Sequence, residues 1–335
     1  MRITRETLLR IAKETAQKRA MSDRGLVAAY LTGSLLTPDP FLGGATDIDL
    51  VLVHEETPKV RREIVAVTPE IHLDIVHAAR SEYNNPKELR VHPTLGPELY
   101  NPMWLYETKH FLEFVQAAVR TKFHDPANVL ERARLNYEAA RQVWLGMQTN
   151  PSAGTPISPD VMQQYLLSVG RAADAIAVLN GGPLAERRFL LEFPKRAEAA
   201  GKPGLAAGLL GLLGAHGVDA AALGEALPEW EKAFVDAAGR PRVHASIAAP
   251  RLAYYKLAFH SMLAGETPQA VVWPLLHTWT LAAQVLPLPK QSKWTAFCDL
   301  LGLAGEAFAE RLEGLDRFLD TIEEMLEGMA SSQGL

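Results

Sequence analysis

The sequence predicts a mixed α/β (α+β) unit with a small sheet, followed by an all-α unit. Three observations predict it. Between residues 26 and 77 the apolar residues form short, strand-length blocks, LVAAYLT, DIDLVLV and IHLDIVH. From Asp125-Pro126 onward they recur at three- and four-residue steps. The period thus changes from two to about 3.6, and it changes at a pair of residues suited to starting a helix. The boundary is therefore set at residue 125, giving units 1–125 and 126–335.

Each element follows in order. Thr4 is placed to cap a helix whose Leu8, Ile11, Ala12 and Thr15 share one side. Ser22–Gly25 breaks it, LVAAYLT reads as a strand, and Gly33-Ser34 ends that strand. DIDLVLV is a second strand. IHLDIVH is a third, with Ile71, Leu73 and Ile75 on one face and His72, Asp74 and Val76 on the other. Pro58–Thr68 fits helix or strand equally. MWLYETKHFLEFVQAAV reads as one helix and RTKFH as a further short strand. Asp before Pro126 supplies a side-chain cap and then a residue with no N–H to satisfy. Val129, Ala133, Tyr137, Ala140, Trp144 and Met147 then form one stripe. Ser158-Pro159 starts another helix, with the stripe Met162, Leu166, Val169, Ala173, Ile176 and Leu179, and NGGP ends it.

Composition bounds the function. The chain has 335 residues, 48% hydrophobic and 22% charged, enough for a substantial core. A formal net charge of −5 offers no global positive field to draw it to nucleic acid, although a local basic groove is not excluded by it. One cysteine leaves no internal disulfide framework. The run AVVWPLLHTWTLAAQVLPLP holds a histidine, prolines and threonines, so it reads as buried helix rather than membrane span. A soluble cytoplasmic protein is the expectation.

The aspartates carry the chemistry. Asp47 and Asp49 lie two apart on a strand and so project to one face, while Ile48, Leu50 and Leu52 enter the core. Asp74, 25 residues further on, also points away from its apolar neighbours. If the strands pair, three carboxylates meet. Two like charges at about 4 Å repel by roughly 4 kcal/mol at an effective dielectric near 20. Mg²⁺ relieves this, takes hard oxygen ligands, and keeps water and phosphate in its shell. Gly33-Ser34 at a strand end lets backbone N–H groups approach a phosphate and adds a hydroxyl donor. Alone the pair says little. Strand, Gly-Ser, twelve intervening residues, Asp-x-Asp, strand and a third aspartate together are a rarer combination.

Tyr30–Val53 with HLDIV resembles the nucleotidyltransferase superfamily related to DNA polymerase β. Within it the chain looks most like the bacterial small-molecule nucleotidyltransferases, including the aminoglycoside-modifying enzymes. Those join a minimal catalytic domain to a helical one. KFHDPANVL resembles the strand-end feature preceding that helical domain, with His124 where tyrosine is more usual. The resemblance covers roughly residues 26–130. It implies that Gly33 and Ser34 hold the triphosphate, that Asp47 and Asp49 bind Mg²⁺ in a two-metal site, and that Asp74 ligates metal or serves as base. The implied reaction moves a nucleoside monophosphate from a nucleoside triphosphate to an acceptor hydroxyl and releases pyrophosphate. A small hydroxylated acceptor is the leading expectation. A tRNA or protein hydroxyl, or a catalytically silent nucleotide-binding scaffold, remain as alternatives, and some relatives complete the site across a homodimer.

Other residues have plainer readings. His72 and His77 lie on opposite strand faces and read as satisfied histidines rather than a zinc pair. Cys298 and Trp144, Trp273 and Trp279 read as packing residues. RRFLLEFPKR, the most basic stretch, reads as a solvated helix face, with triphosphate or RNA contact as the sharper reading. A small catalytic unit cannot enclose an acceptor, so the helical unit is expected to cover the aspartates through residues 126–200. Tyr165 is the candidate for holding the acceptor there and Lys195 for meeting phosphate charge.

Overall fold

The structure, a computed structural model, describes residues 4–148, 157–241 and 243–335. Helix α1 (Arg5–Ser22) is followed by strands β1 (Leu26–Thr32), β2 (Ile48–His54), β3 (Arg62–Ala66) and β4 (His72–Ala79). Then come α2 (Pro86–Val91), α3 (Leu95–Tyr100), β5 (Met103–Glu107) and α4 (Phe111–Arg120). The α-helices that follow are α5 (Pro126–Gln148), α6 (Pro159–Ala177), α7 (Phe189–Ala199), α8 (Gly204–Leu212), α9 (Ala220–Ala238), α10 (Leu252–Leu263), α11 (Val272–Val285), α12 (Ser292–Leu300) and α13 (Gly305–Gln333), with no strand among the described residues after β5.

The five strands form one mixed sheet in the order β3-β4-β2-β1-β5. β2 and β4 run parallel at its centre, and the other pairs are antiparallel. The two faces differ as strand alternation requires. On one, Ile48, Leu50 and Leu52 of β2 and Ile71, Leu73 and Ile75 lie buried under Leu8, Ala12 and Ala16 of α1. Thr4 caps α1 as expected, accepting from the Thr7 N–H. Each fully buried Leu or Ile there contributes about 1.5–3 kcal/mol. The other face carries Tyr30, Val51 and Val53, and α2, α3 and α4 cover part of it through Leu89, Leu99, Leu112 and Val115.

Two local expectations are corrected. The segment read as one helix from Met103 is strand β5, then a break, then α4. Lys109 and His110 take positive φ at the break, and the Glu107 carboxylate accepts the Leu112 N–H at 2.9 Å to cap α4. The edge strand was hidden because only Thr108, Lys109 and His110 separate it from the helix. RTKFH forms a turn, not a strand, and Lys122 there also has positive φ.

The helical stripes are seated as their periodicity indicates. Ser158 caps α6 by accepting from the Val161 N–H, and Met162, Leu166, Val169, Ala173 and Ile176 are buried. α5 joins the sheet's helices through Arg132, which is buried over the Phe123 ring and donates to the carbonyls of Arg90 and Phe123. Trp273 stacks on Phe189 at 3.8 Å, Trp279 stacks on Phe297, and Cys298 is buried. No described helix is long and apolar enough to cross a membrane.

Candidate active site

The strand register builds the acidic cluster. In the parallel pair, Asp49 of β2 stands directly beside Asp74 of β4. Asp47 lies just before β2, two residues from Asp49, and is buried. One oxygen from each of the three carboxylates lies within 4.8 Å of the others. The three aspartates singled out in the sequence therefore converge.

Gly33 is shaped around them. It has φ +77°, and a Cβ there would sit 1.9 Å from Asp49 Oδ2. Only a residue without a side chain allows that carboxylate so close to the turn after β1. Ser34 follows on a short 3₁₀ turn, its hydroxyl 2.9 Å from that of Thr46, the residue before Asp47. The Gly-Ser turn and the Asp-x-Asp strand are thus joined directly.

The cluster's neighbours were not visible in the sequence. Arg62 of β3 grips Asp74 with two hydrogen bonds, Nε to Oδ1 at 2.7 Å and Nη2 to Oδ2 at 2.6 Å. Arg251, on a 3₁₀ turn just before α10, is 4% exposed. Its Nη2 lies 3.3 Å from Asp47 Oδ2 and 2.5 Å from Asp74 Oδ2. Its Nε donates to His72 Nε2 at 3.2 Å. Burial brings His72 down to about 4, against the pull of Asp47, so the ring is neutral and accepts this bond. Its Nδ1 is buried without a polar partner. His77, by contrast, leaves the site and pairs with His54 at 2.8 Å and with Glu63, so the two histidines form no metal pair.

Asp49 differs from its companions. It accepts no hydrogen bond from a described residue. Burial and the charges of Asp47 and Asp74 raise its pKa well above the carboxylate range, with Arg251 and Arg62 opposing. Half-buried and without a hydrogen-bond donor, this carboxylate is the oxygen ligand left for a cation. Asp47 and Asp49 thus fit a divalent metal, with Gly33 leaving the room.

Beyond Arg251 a second polar chain continues into the helical region. Tyr255 lies 3.5 Å from Arg251 Nη1 and donates to Glu186 at 2.7 Å; Glu186 meets His277 Nδ1 at 2.6 Å. Burial pushes Glu186 up, but His277, Arg251 and Tyr255 outweigh it and hold it at about 2.

The helical region therefore does reach the aspartate face, but not as expected. Arg251 makes the contact to the aspartates themselves, while Glu186–Arg188, inside the expected 126–200, hold Tyr255 and the 39–45 loop beside them. Arg187, in the stretch read as a solvated face, is buried over the Tyr254 ring and donates to the carbonyls of Tyr254 and Ala45. Arg188 donates to the carbonyls of Asp39 and Phe41. Gly43 in the same loop has φ +63°, and a Cβ there would lie 2.1 Å from the Leu257 carbonyl. The loop between Gly-Ser and Asp-x-Asp is thus clamped by the helices.

Tyr165 is corrected. It is fully buried and donates to the Leu212 carbonyl at 2.8 Å, so it packs the helical core and offers an acceptor no surface. Lys195 is exposed on α7 and makes no ion pair with the aspartates. A cavity of about 590 Å³ between α8 and α13 shares no lining residue with the cluster.

No family model and no curated protein matches the chain. Among solved structures, a nucleotidyltransferase-like protein from Exiguobacterium sibiricum 255-15 is similar over 94% of this chain and 91% of its own. The identity is 9% and the TM-score 0.29, a likeness too loose to carry an argument, and the geometry of the acidic cluster stands by itself.

Proposed function

We propose that the chain transfers a nucleoside monophosphate from a nucleoside triphosphate to a hydroxyl of a small acceptor, with Mg²⁺ as the cofactor. The observation that carries this is the convergence of Asp47, Asp49 and Asp74 on adjacent strands, with Gly33 pressed against Asp49. In this reading residues 1–125 carry the chemistry and 126–335 cover it. A cation held by Asp47 and Asp49 would neutralise phosphate charge where it develops. The turn at Gly33 and Ser34 would hold the triphosphate through backbone N–H groups. The acceptor hydroxyl gives its proton to water as its oxygen bonds to the α-phosphorus, the bond from the α-phosphorus to the oxygen bridging to the β-phosphate breaks, and pyrophosphate leaves with that electron pair.

A small acceptor is favoured over tRNA by the fate of the basic stretch. Arg187 and Arg188 serve the 39–45 loop, and Arg196 donates to the Asn180 carbonyl. That leaves Lys195 as the exposed cation of this stretch. The silent-scaffold reading draws on a different observation: Arg62 and Arg251 already neutralise much of the cluster.

Pyrophosphate release separates the readings. It is measured with each of the four common ribonucleoside triphosphates and Mg²⁺, with and without a panel of aminoglycosides and with bulk tRNA. Stimulation by an aminoglycoside-like acceptor is expected. Asp47→Asn and Asp49→Asn should each lower the rate on the order of a thousandfold while the thermal melt is retained. Stimulation by tRNA alone moves the acceptor to nucleic acid. No release under any condition, with nucleotide still bound, leaves the scaffold.

A further inference from the structure

The acidic cluster holds cations of its own, and they are unevenly shared. Asp74 accepts three charge-assisted hydrogen bonds, one on Oδ1 and two on Oδ2, from Arg62 and Arg251. A carboxylate so occupied has little lone-pair capacity left for a metal, and Mg²⁺ demands near-octahedral geometry at about 2.0–2.1 Å. Asp47 has only a long bond to Arg251, at 3.3 Å, on one oxygen. Asp49 has none from a described residue. The charges agree with the bonds. Three carboxylates face two guanidiniums, and both guanidiniums bond to Asp74. One divalent ion finds free carboxylate oxygens on Asp47 and Asp49. A second would place another dication beside Arg251, which is buried and cannot turn into water.

We infer that the cluster takes a single divalent cation, on Asp47 and Asp49, and that the Arg251 guanidinium stands where a second would have to sit. Asp74 is then a positioning residue that anchors Arg62 and Arg251 on the phosphate side. This departs from the two-metal expectation and rests on the transferase reading of the same site. A direct consequence is competition. Arg251 and the cation share Asp47, so the arginine weakens the metal and its removal strengthens it.

The test is a Mn²⁺ titration of the full chain, with free Mn²⁺ followed by electron paramagnetic resonance, alone and with a non-hydrolysable nucleoside triphosphate analogue. The wild type should bind one ion per chain in the presence of the analogue, beyond what the analogue binds by itself. Asp49→Asn should bind none, and Arg251→Gln should bind its ion at least about tenfold more tightly. Arg251→Lys, which keeps the charge if Arg251→Gln fails to fold, should shift affinity by less than about threefold. Two ions per wild-type chain would overturn the inference, as would unchanged affinity in Arg251→Gln or binding that survives Asp49→Asn. The transferase reading fails separately, on pyrophosphate release, since a chain can hold one ion and turn nothing over.

Discussion

Two arginines in this molecule each join a group of acids, and only one of the groups looks like a site. Arg141 of α5 meets Asp316, Asp320 and Glu323 along one stripe of α13. Arg251 meets Asp47 and Asp74, with Asp49 beside them. By count of carboxylates the two are alike. The α13 acids are 38%, 56% and 48% exposed, however, so water screens each of them. Arg141 also rests against the rings of Tyr137 and Trp144, so the pairing reads as a clasp between two helices. In the strand cluster Asp47, Asp74 and Arg251 are buried, and the half-buried Asp49 keeps a carboxylate that accepts no hydrogen bond from a described residue. Acid density therefore does not mark a site; a carboxylate left unbonded beside buried neighbours does.

The contrast can be broken most directly by deleting each arginine. Arg251→Ala leaves Asp47 uncompensated and Asp74 half-compensated in a buried setting, and should cost about 3–5 kcal/mol in urea unfolding. Mn²⁺ should recover part of that loss. Arg141→Ala should cost only about 1 kcal/mol, with no metal response. Equal losses, or equal rescue, would erase the distinction between the two groups.

Gly33→Ala should come next. Its backbone, at φ 77° and ψ −161°, lies in a region that suits only glycine, a strain of about 1–3 kcal/mol. The new methyl must also push the Asp49 carboxylate aside. Mn²⁺ affinity should consequently fall further than stability does, which a titration beside a melt will show.

Glu98 of α3 sharpens the comparison from another side. Burial raises its carboxyl from 4.5 to about 7, against the pull of Arg62. The folded state therefore holds the proton more tightly than the unfolded chain. Wild-type stability should fall as pH rises from about 4.5 to 7, by roughly 2 kcal/mol, and Glu98→Gln should remove that slope and exceed the wild type at pH 8. A slope that survives in Glu98→Gln would assign it elsewhere. Asp320→Asn, in the wet group, should change stability by less than about 1 kcal/mol at any pH above 5.

How much of this was legible beforehand depended on sequence distance. Asp47, Asp49 and Gly33 were readable because strand alternation and a turn glycine are local rules, and Asp74 because its own strand alternates. Asp125-Pro126 and Ser158-Pro159 announced their helices for the same reason. β5 was missed because only Thr108, Lys109 and His110 separate it from the helix that follows, and the break rests on two positive φ values that Lys109 and His110 do not advertise. Arg62 lay in a segment that fitted helix or strand equally. Arg251 could not be found at all. It meets Asp47 across 204 positions and Asp74 across 177, and APRLAYY carries no pattern that points to them. Tyr165 failed for the opposite reason: a tyrosine on an apolar helical stripe fills the core and finds a carbonyl for its hydroxyl.

The same separation has a consequence in time. At about 5–20 residues per second, a ribosome needs roughly 10–40 s to pass from Asp47 to Arg251. Throughout that interval the aspartate face of a nascent chain has Arg62 but not Arg251. The 39–45 loop likewise waits for Arg187, Arg188 and Leu257 before it is held. A small cation in the surrounding solution thus reaches the patch before its own arginine does. The order of arrival is written into the spacing of the residues.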